Sequence, residues 1–183
     1  MKVSELCNLL KRGKSPKYGN SNIQVIKSGQ ARGYMQFDFS EKYFAAGDFV
    51  LDERKLQKGD ILINSTGVGT AGRITMFDLE GDFVADSHIT IFRPNEKIIS
   101  KFALYSLARI GFETIEKMAT GSSGQIELSL KTIKQIHILV PPLSEQKKIV
   151  AEIEGYESKI AEAQALMDSA PERKKRILEK YLK

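Results

Sequence analysis

The sequence predicts an α+β fold. A β-rich domain with peripheral helices spans residues 1–143, and residues 144–183 form a long C-terminal coiled-coil helix followed by a short terminal helix. Three observations carry this prediction. Short β-branched and aromatic runs alternate with Gly, Asp and Asn through the first hundred residues. The proline pair Pro141-Pro142 stops the last such run, because its rings cannot continue a ladder. From Ile149 onward apolar residues step by four and three.

Val3-Ser4-Glu5-Leu6-Cys7-Asn8-Leu9-Leu10 suits a short helix or the start of a strand. It runs into a loop of breakers and basic residues, Arg12-Gly13-Lys14-Ser15-Pro16-Lys17-Tyr18-Gly19, which belongs on the surface. Strands are expected at Ile23-Gln24-Val25-Ile26, Ile61-Leu62-Ile63, Ile74-Thr75-Met76-Phe77 and Ile89-Thr90-Ile91-Phe92. A helix with Ser100 as its N-cap follows, carrying Phe102, Tyr105, Phe112, Ile115 and Met118 on one face, and Thr120-Gly121-Ser122-Ser123-Gly124-Gln125 ends it. Ile136-His137-Ile138-Leu139-Val140 reads as a further strand.

Beyond it, Ile149, Ile153, Tyr156, Ile160, Ala163, Met167 and Ala170 form an a/d seam flanked by charges. A seam this narrow must pack on a partner helix or on the globular part, and its 3.5-residue spacing favours a helix. Pro171 is expected to interrupt the helix. Ser169-Ala170-Pro171-Glu172 would then cap a second, short helix through Ile177, Leu178, Tyr181 and Leu182.

Composition narrows the function. No stretch approaches the roughly 20 apolar residues that cross a bilayer, and the N-terminus lacks an apolar signal region, so a cytoplasmic location is expected. A single cysteine, Cys7, rules out an internal disulfide. The net charge is +5. Residues 1–35 hold seven Lys or Arg (Lys2, Lys11, Arg12, Lys14, Lys17, Lys27, Arg32) against Glu5 alone, which points to a polyanionic partner.

Enzyme signatures fare poorly. Gly13-Lys14-Ser15 lacks the earlier glycine of a phosphate-binding loop, since position 8 is Asn8, and Pro16 blocks the helix that should follow. Gly67-Val68-Gly69-Thr70-Ala71-Gly72 matches the dinucleotide fingerprint, but strand-like residues follow it where a helix N-terminus is needed, so a tight hairpin loop is expected. Asp38 with Glu53-Arg54-Lys55 is a loose match to Mg²⁺-dependent nucleases and lies among turns. His88 and His137 are too few for a histidine-rich metal site. No Gly-x-Ser-x-Gly elbow supports a Ser-His-Asp triad. A small nucleotide-binding or nuclease enzyme and a non-DNA helical adaptor stay open as alternatives.

The order of motifs is more specific. Lys11-Arg12-Gly13-Lys14-Ser15-Pro16, then Lys58-Gly59-Asp60-Ile61-Leu62-Ile63-Asn64-Ser65-Thr66-Gly67 leading into Gly72-Arg73-Ile74, then Thr120-Gly121-Ser122-Ser123-Gly124-Gln125 resemble landmarks of the specificity subunits of type I restriction-modification enzymes. Ile138-Leu139-Val140-Pro141-Pro142-Leu143-Ser144-Glu145-Gln146-Lys147-Lys148-Ile149-Val150 is similar to that family's junction of recognition domain and spacer helix. The family's usual subunit has two recognition domains and two spacers, so this chain resembles a half-subunit, or a module of a larger protein such as a methyltransferase-specificity fusion.

The resemblance implies a non-catalytic target-recognition domain on double-stranded DNA, partnered by methyltransferase subunits and possibly a restriction or translocase subunit. S-adenosylmethionine, ATP and Mg²⁺ would belong to those partners. Lys11, Arg12, Lys14, Lys17 and Lys27 would neutralise phosphates. Gln30, Arg32, Tyr34, Ser65, Thr66, Arg73 and Gln125 would reach base edges. Ile149, Ile153, Tyr156, Ile160, Ala163 and Met167 would form the helix interface of a homodimer. The predicted helix, Ser144 to Met167, is 24 residues, about 36 Å at 1.5 Å per residue and close to one turn of B-DNA, roughly 34 Å.

Overall fold

The computed structural model describes residues 1–121 and 126–182, and divides them into two compact units, Met1–Gln146 and Lys147–Lys183. In the first unit a 3₁₀ turn at Val3–Glu5 leads into β1 (Cys7–Arg12), which settles the ambiguity of the N-terminal segment. The expected strands form as β2 (Gln24–Ile26), β6 (Ile61–Asn64), β7 (Ile74–Met76) and β9 (Ile89–Pro94). Four short ones lie between them: β3 (Ala31–Gly33), β4 (Gln36–Phe37), β5 (Tyr43–Phe44) and β8 (Phe83–Ala85). They are two or three residues long, too short for a period-2 alternation to be visible in the sequence.

The strands make three sheets, ordered β1-β9-β6-β7, β5-β2-β8 and β3-β4. All neighbours are antiparallel except β2 and β8. β6 and the first four residues of β9 are buried throughout, as expected of strands covered on both faces. Ile26, Leu62, Phe77, Phe83, Ile89 and Ile91 belong to one buried cluster, with Phe77 edge-on to Phe83 at 5.3 Å.

Two expectations within this unit are corrected. The helix predicted from Ser100 to Met118 is two helices, α1 (Ser100–Ile110) and α2 (Phe112–Glu116), broken at Gly111 with φ 87. Its N-cap is Ile99, with Ser100 already helical. The strand expected at residues 136–140 is reduced to one bridge, Lys2 to His137, flanked by bonds from Val3 N to Ile136 O and Ile138 N to Met1 O. Its neighbour is the 3₁₀ turn, which offers no ladder to extend. Before it lies α3 (Leu130–Gln135), capped by the Ser129 side chain on Thr132 N.

The C-terminal helix departs most. α4 runs unbroken from Leu143 to Tyr181 with Pro171 inside it, so the expected interruption and separate terminal helix are replaced by one 39-residue element. Proline's φ is already helical, and its cost is one missing N–H and a clash with the preceding turn. The hydroxyl expected to cap a new helix, Ser169 Oγ, instead donates to Leu166 O at 2.9 Å, tying it to the preceding turn. At about 58 Å, this helix replaces the shorter expectation of one DNA turn.

Candidate nucleic-acid interface

The turn between β8 and β9, Asp86-Ser87-His88, is where three separate loops of the sequence meet. Ser15 of the basic loop shares a hydrogen bond with Ser87 Oγ at 3.0 Å and receives one from Ser87 N at 3.1 Å. The end of β2 accepts from Asp86 N through Ile26 O at 3.0 Å, which brings Lys27 alongside. From the β6–β7 loop, Ser65 N donates to His88 O at 2.8 Å and Thr66 Oγ1 bonds His88 Nδ1.

Gly13 makes this convergence possible. Its N–H donates to Ile89 O at 2.8 Å, and a Cβ there would lie 2.2 Å from Asp86 O and 2.3 Å from Ala85 O. Burial pushes the Asp86 carboxyl above its ordinary range, opposed by the His88 N–H bond and by the charge of Lys27.

The basic side chains around this turn hold mostly surface partners. Lys11 pairs with Glu53, and Arg12 with Glu127 at 2.7 Å and Leu128 O at 3.0 Å. Arg12 is more enclosed than Lys11, Lys14 and Lys17, and burial lowers its affinity for a proton against the opposing pull of Glu127. Lys14 lies over Phe49 at 5.9 Å, and Lys27 lies 4.1 Å from the Tyr43 ring and 5.6 Å from Tyr18. Lys17 sits in the same loop, its carbonyl accepting from Ala46 N. Exposed ion pairs contribute little, so exchanging such partners for phosphate costs little.

The candidate base readers divide. Gln30 and Ser65 are buried and committed internally: Gln30 accepts from Lys27 N and donates to Glu41 O, and the Ser65 hydroxyl donates to Ile63 O and bonds Thr90. Their side chains fix loops in place. Gln125 lies outside the described residues. Arg32, Tyr34 and Arg73 instead converge on a cleft of about 340 Å³, floored by Leu107, Phe112 and Ile115. Arg32 pairs with Asp38 at 2.7 Å, and that pairing, with bonds from Ser40, holds the Asp38 carboxyl at about 2. Arg32 also lines a second cleft containing Lys27, Gln30, Asp86 and His88, so the two groups of residues adjoin.

Tyr34 has φ 52, and no other non-glycine among the described residues has a positive φ. This conformation costs an L-residue about 1–2 kcal/mol. Asn64 has a structural role that its residue type alone does not signal. It is fully buried at the end of β6, and its Nδ2 donates to Ser28 O at 2.7 Å, anchoring the segment that leads to Arg32 and Tyr34.

The residues of the enzyme-like patterns have structural partners in the fold. The Gly67–Gly72 run is the hairpin loop between β6 and β7, with positive φ at Gly67, Gly69 and Gly72, and Gly72 packs against Ile115 and Glu116. In the nuclease-like pattern Asp38, Glu53 and Lys55 pair with Arg32, Lys11 and Asp82, while Arg54 pairs with Asp52.

At the family-like junction, Gln146 is fully buried. Its Oε1 accepts from Ile99 N at 2.9 Å, and its Nε2 donates to Lys97 O and Pro141 O, so one side chain serves the start of α1 and the first turn of α4. In the helical unit, continuity through Pro171 keeps the heptad in register. After Ala170 come Lys174, Ile177 and Tyr181, again at steps of four, three and four. Tyr156, Ile160, Met167, Ile177 and Tyr181 are all more than half exposed, a ready surface for a second helix.

A basic, loop-edged α+β unit is followed in the chain by a long heptad-patterned helix. Residues 1–166 match the family model described as type I restriction modification DNA specificity domain, and the chain belongs to that family. It is 34% identical over 103 residues to the Haemophilus influenzae protein assigned as type I restriction enzyme specificity subunit S.HindORF215P, covering 56% of this chain and 25% of that one.

Similar solved structures share the fold at low identity. A chain from a study of complex assembly and conformational transition in a type I R-M system has a TM-score of 0.72 at 17% identity, over 97% of this chain and 42% of that one. The HsdS subunit of Thermoanaerobacter tengcongensis gives 0.66 at 19%, over 91% and 38%. The type I S subunit from M. genitalium gives 0.62 at 16%, over 92% and 41%. The chain thus spans a quarter to about two-fifths of the length of these relatives. Among the described residues no helix is long and apolar enough to cross a membrane.

Proposed function

We propose that this chain is a DNA-recognition half-subunit of a type I restriction-modification system, reading one half of a bipartite target and docking methyltransferase subunits, with a restriction or translocase subunit as a further partner. It is non-catalytic in this reading. S-adenosylmethionine, ATP and Mg²⁺ act in the partner subunits. The observation that carries the reading is the meeting of the basic loop, the end of β2 and the β6–β7 loop at Asp86-Ser87-His88, which gathers Lys14, Lys27 and Thr66 in a family whose domain is described as a DNA specificity domain. Lys11, Arg12, Lys14, Lys17 and Lys27 contact phosphates and set register. Arg32, Tyr34, Thr66 and Arg73 face base edges.

The helix supplies twofold symmetry. An antiparallel homodimer with its axis at Ala165 pairs Ile149 with Tyr181, Ile153 with Ile177, Tyr156 with Lys174, Ile160 with Ala170 and Ala163 with Met167. Each a position thereby meets a d position over the whole seam. The test of DNA binding is a salt titration on random duplex. Replacing Lys14, Lys17 and Lys27 together by Ala flattens the slope of log affinity against log salt by about two to three units. An unchanged slope removes this surface from the reading.

A further inference from the structure

We propose that Tyr34 is a specificity-determining residue whose ring packs on the groove edge of a single nucleobase of the target, with Arg32 and Arg73, which line the same cleft, holding the adjoining phosphate or base edge. The proposal rests on the DNA-recognition reading above and goes beyond it by assigning the contact to one side chain. Tyr34 opens the two-residue turn between β3 and β4, at a position of positive φ where glycine is the default. A tyrosine there is selected against by backbone energetics alone, so the side chain must contribute something that glycine cannot.

What it contributes inside the fold is little, because the residue is 55% exposed. Its backbone, by contrast, is tightly held. Tyr34 N donates to Ile74 O at 2.8 Å, Met76 N donates to Tyr34 O, and Gly33 N donates to Thr75 Oγ1 at 2.9 Å. The result is a rigid exposed aromatic, the kind of group that binds with small ordering cost.

Its surroundings select the ligand chemistry. Leu107, Phe112 and Ile115 floor the cleft beside the ring, and Arg32 and Arg73 line it. The Arg73 guanidinium is held by two neutral acceptors, Ala31 O at 3.4 Å and Gly69 O at 3.1 Å, which orient it without cancelling its charge. An exposed aromatic ring in an apolar-floored cleft that two arginines line matches a base edge and its phosphate. The excess of six positive charges over residues 1–35, of which this turn is the end, favours DNA over an apolar peptide as the occupant.

The test selects binding sites from a random duplex pool with the full chain and with Tyr34→Gly, Tyr34→Asn and Tyr34→Phe. Gly and Asn both tolerate the left-handed backbone, so these variants keep or raise the melting temperature. The expected result is loss of preference by about tenfold at one or two adjacent base pairs for Gly and Asn, with the rest of the consensus and the affinity for scrambled duplex kept, and full retention for Phe.

A wild-type consensus that the Gly and Asn variants share unchanged overturns the role of Tyr34 and leaves the DNA-recognition reading standing. So does an even loss on every sequence, a melting temperature that falls with both variants, or a loss confined to methyltransferase binding. Failure of the wild-type chain to bind any duplex at low salt overturns both.

Discussion

At the scale of single residues, Gly13 shows how a basic loop is positioned by what it lacks. Its neighbours Lys11, Arg12 and Lys14 supply charge, but the loop lies against β8 only because no side chain stands between Gly13 and the carbonyls of Ala85 and Asp86. Gly13→Ala should cost about 1–3 kcal/mol through forced backbone movement and should weaken DNA binding, measured by chemical denaturation and by anisotropy on one sample. Asp86 gives a second expectation. Its native affinity for protons exceeds that of the unfolded chain, so the native state binds more protons and stability falls as pH rises from about 4 through the raised native value. Asp86→Asn should remove that decline, seen in melting temperatures across pH 4 to 7. Tyr34 and Arg73 were legible as candidates by residue type alone. The buried roles of Gln30 and Ser65 were not, because a polar residue in a loop motif looks the same whether it faces DNA or satisfies the backbone.

At the scale of elements, long and strongly patterned segments were readable and short ones were not. β6 and β9 follow from their Ile and Leu runs, whereas β5 and β8 are defined by pairing with the distant β2, information absent from a local window, and β3 and β4 form a hairpin too short to show a pattern. The heptad seam was legible to Ala170, and Pro171 masked its continuation, since propensity argues for a stop although proline's own φ is compatible with a helix. Pro171→Ala should restore a backbone N–H to α4 and raise the helical unit's stability by up to about 3 kcal/mol, read as a higher melting temperature by circular dichroism. Gln146→Ala should lower stability of the globular unit by about 1–3 kcal/mol, since Ile99 N, Lys97 O and Pro141 O would each lose a partner. Gln146 was visible as part of a motif, but its function as a clamp depends on three groups brought together only by folding.

At the scale of the molecule, the proposed function joins a recognition unit to a pairing helix, a combination that reads inverted repeats. The seam predicts that Ile153→Asp with Ile160→Asp yields monomers by sedimentation while the globular unit keeps its melting transition. The most direct measurement selects duplexes from a random pool with the intact chain and compares the winners with scrambled duplex across a salt series. The account predicts an inverted repeat with an unspecified gap, enriched by the wild-type chain and reduced to a single half-site by the double Asp variant, with affinity falling steeply with salt on every duplex. No enrichment, or binding indifferent to salt, would contradict it.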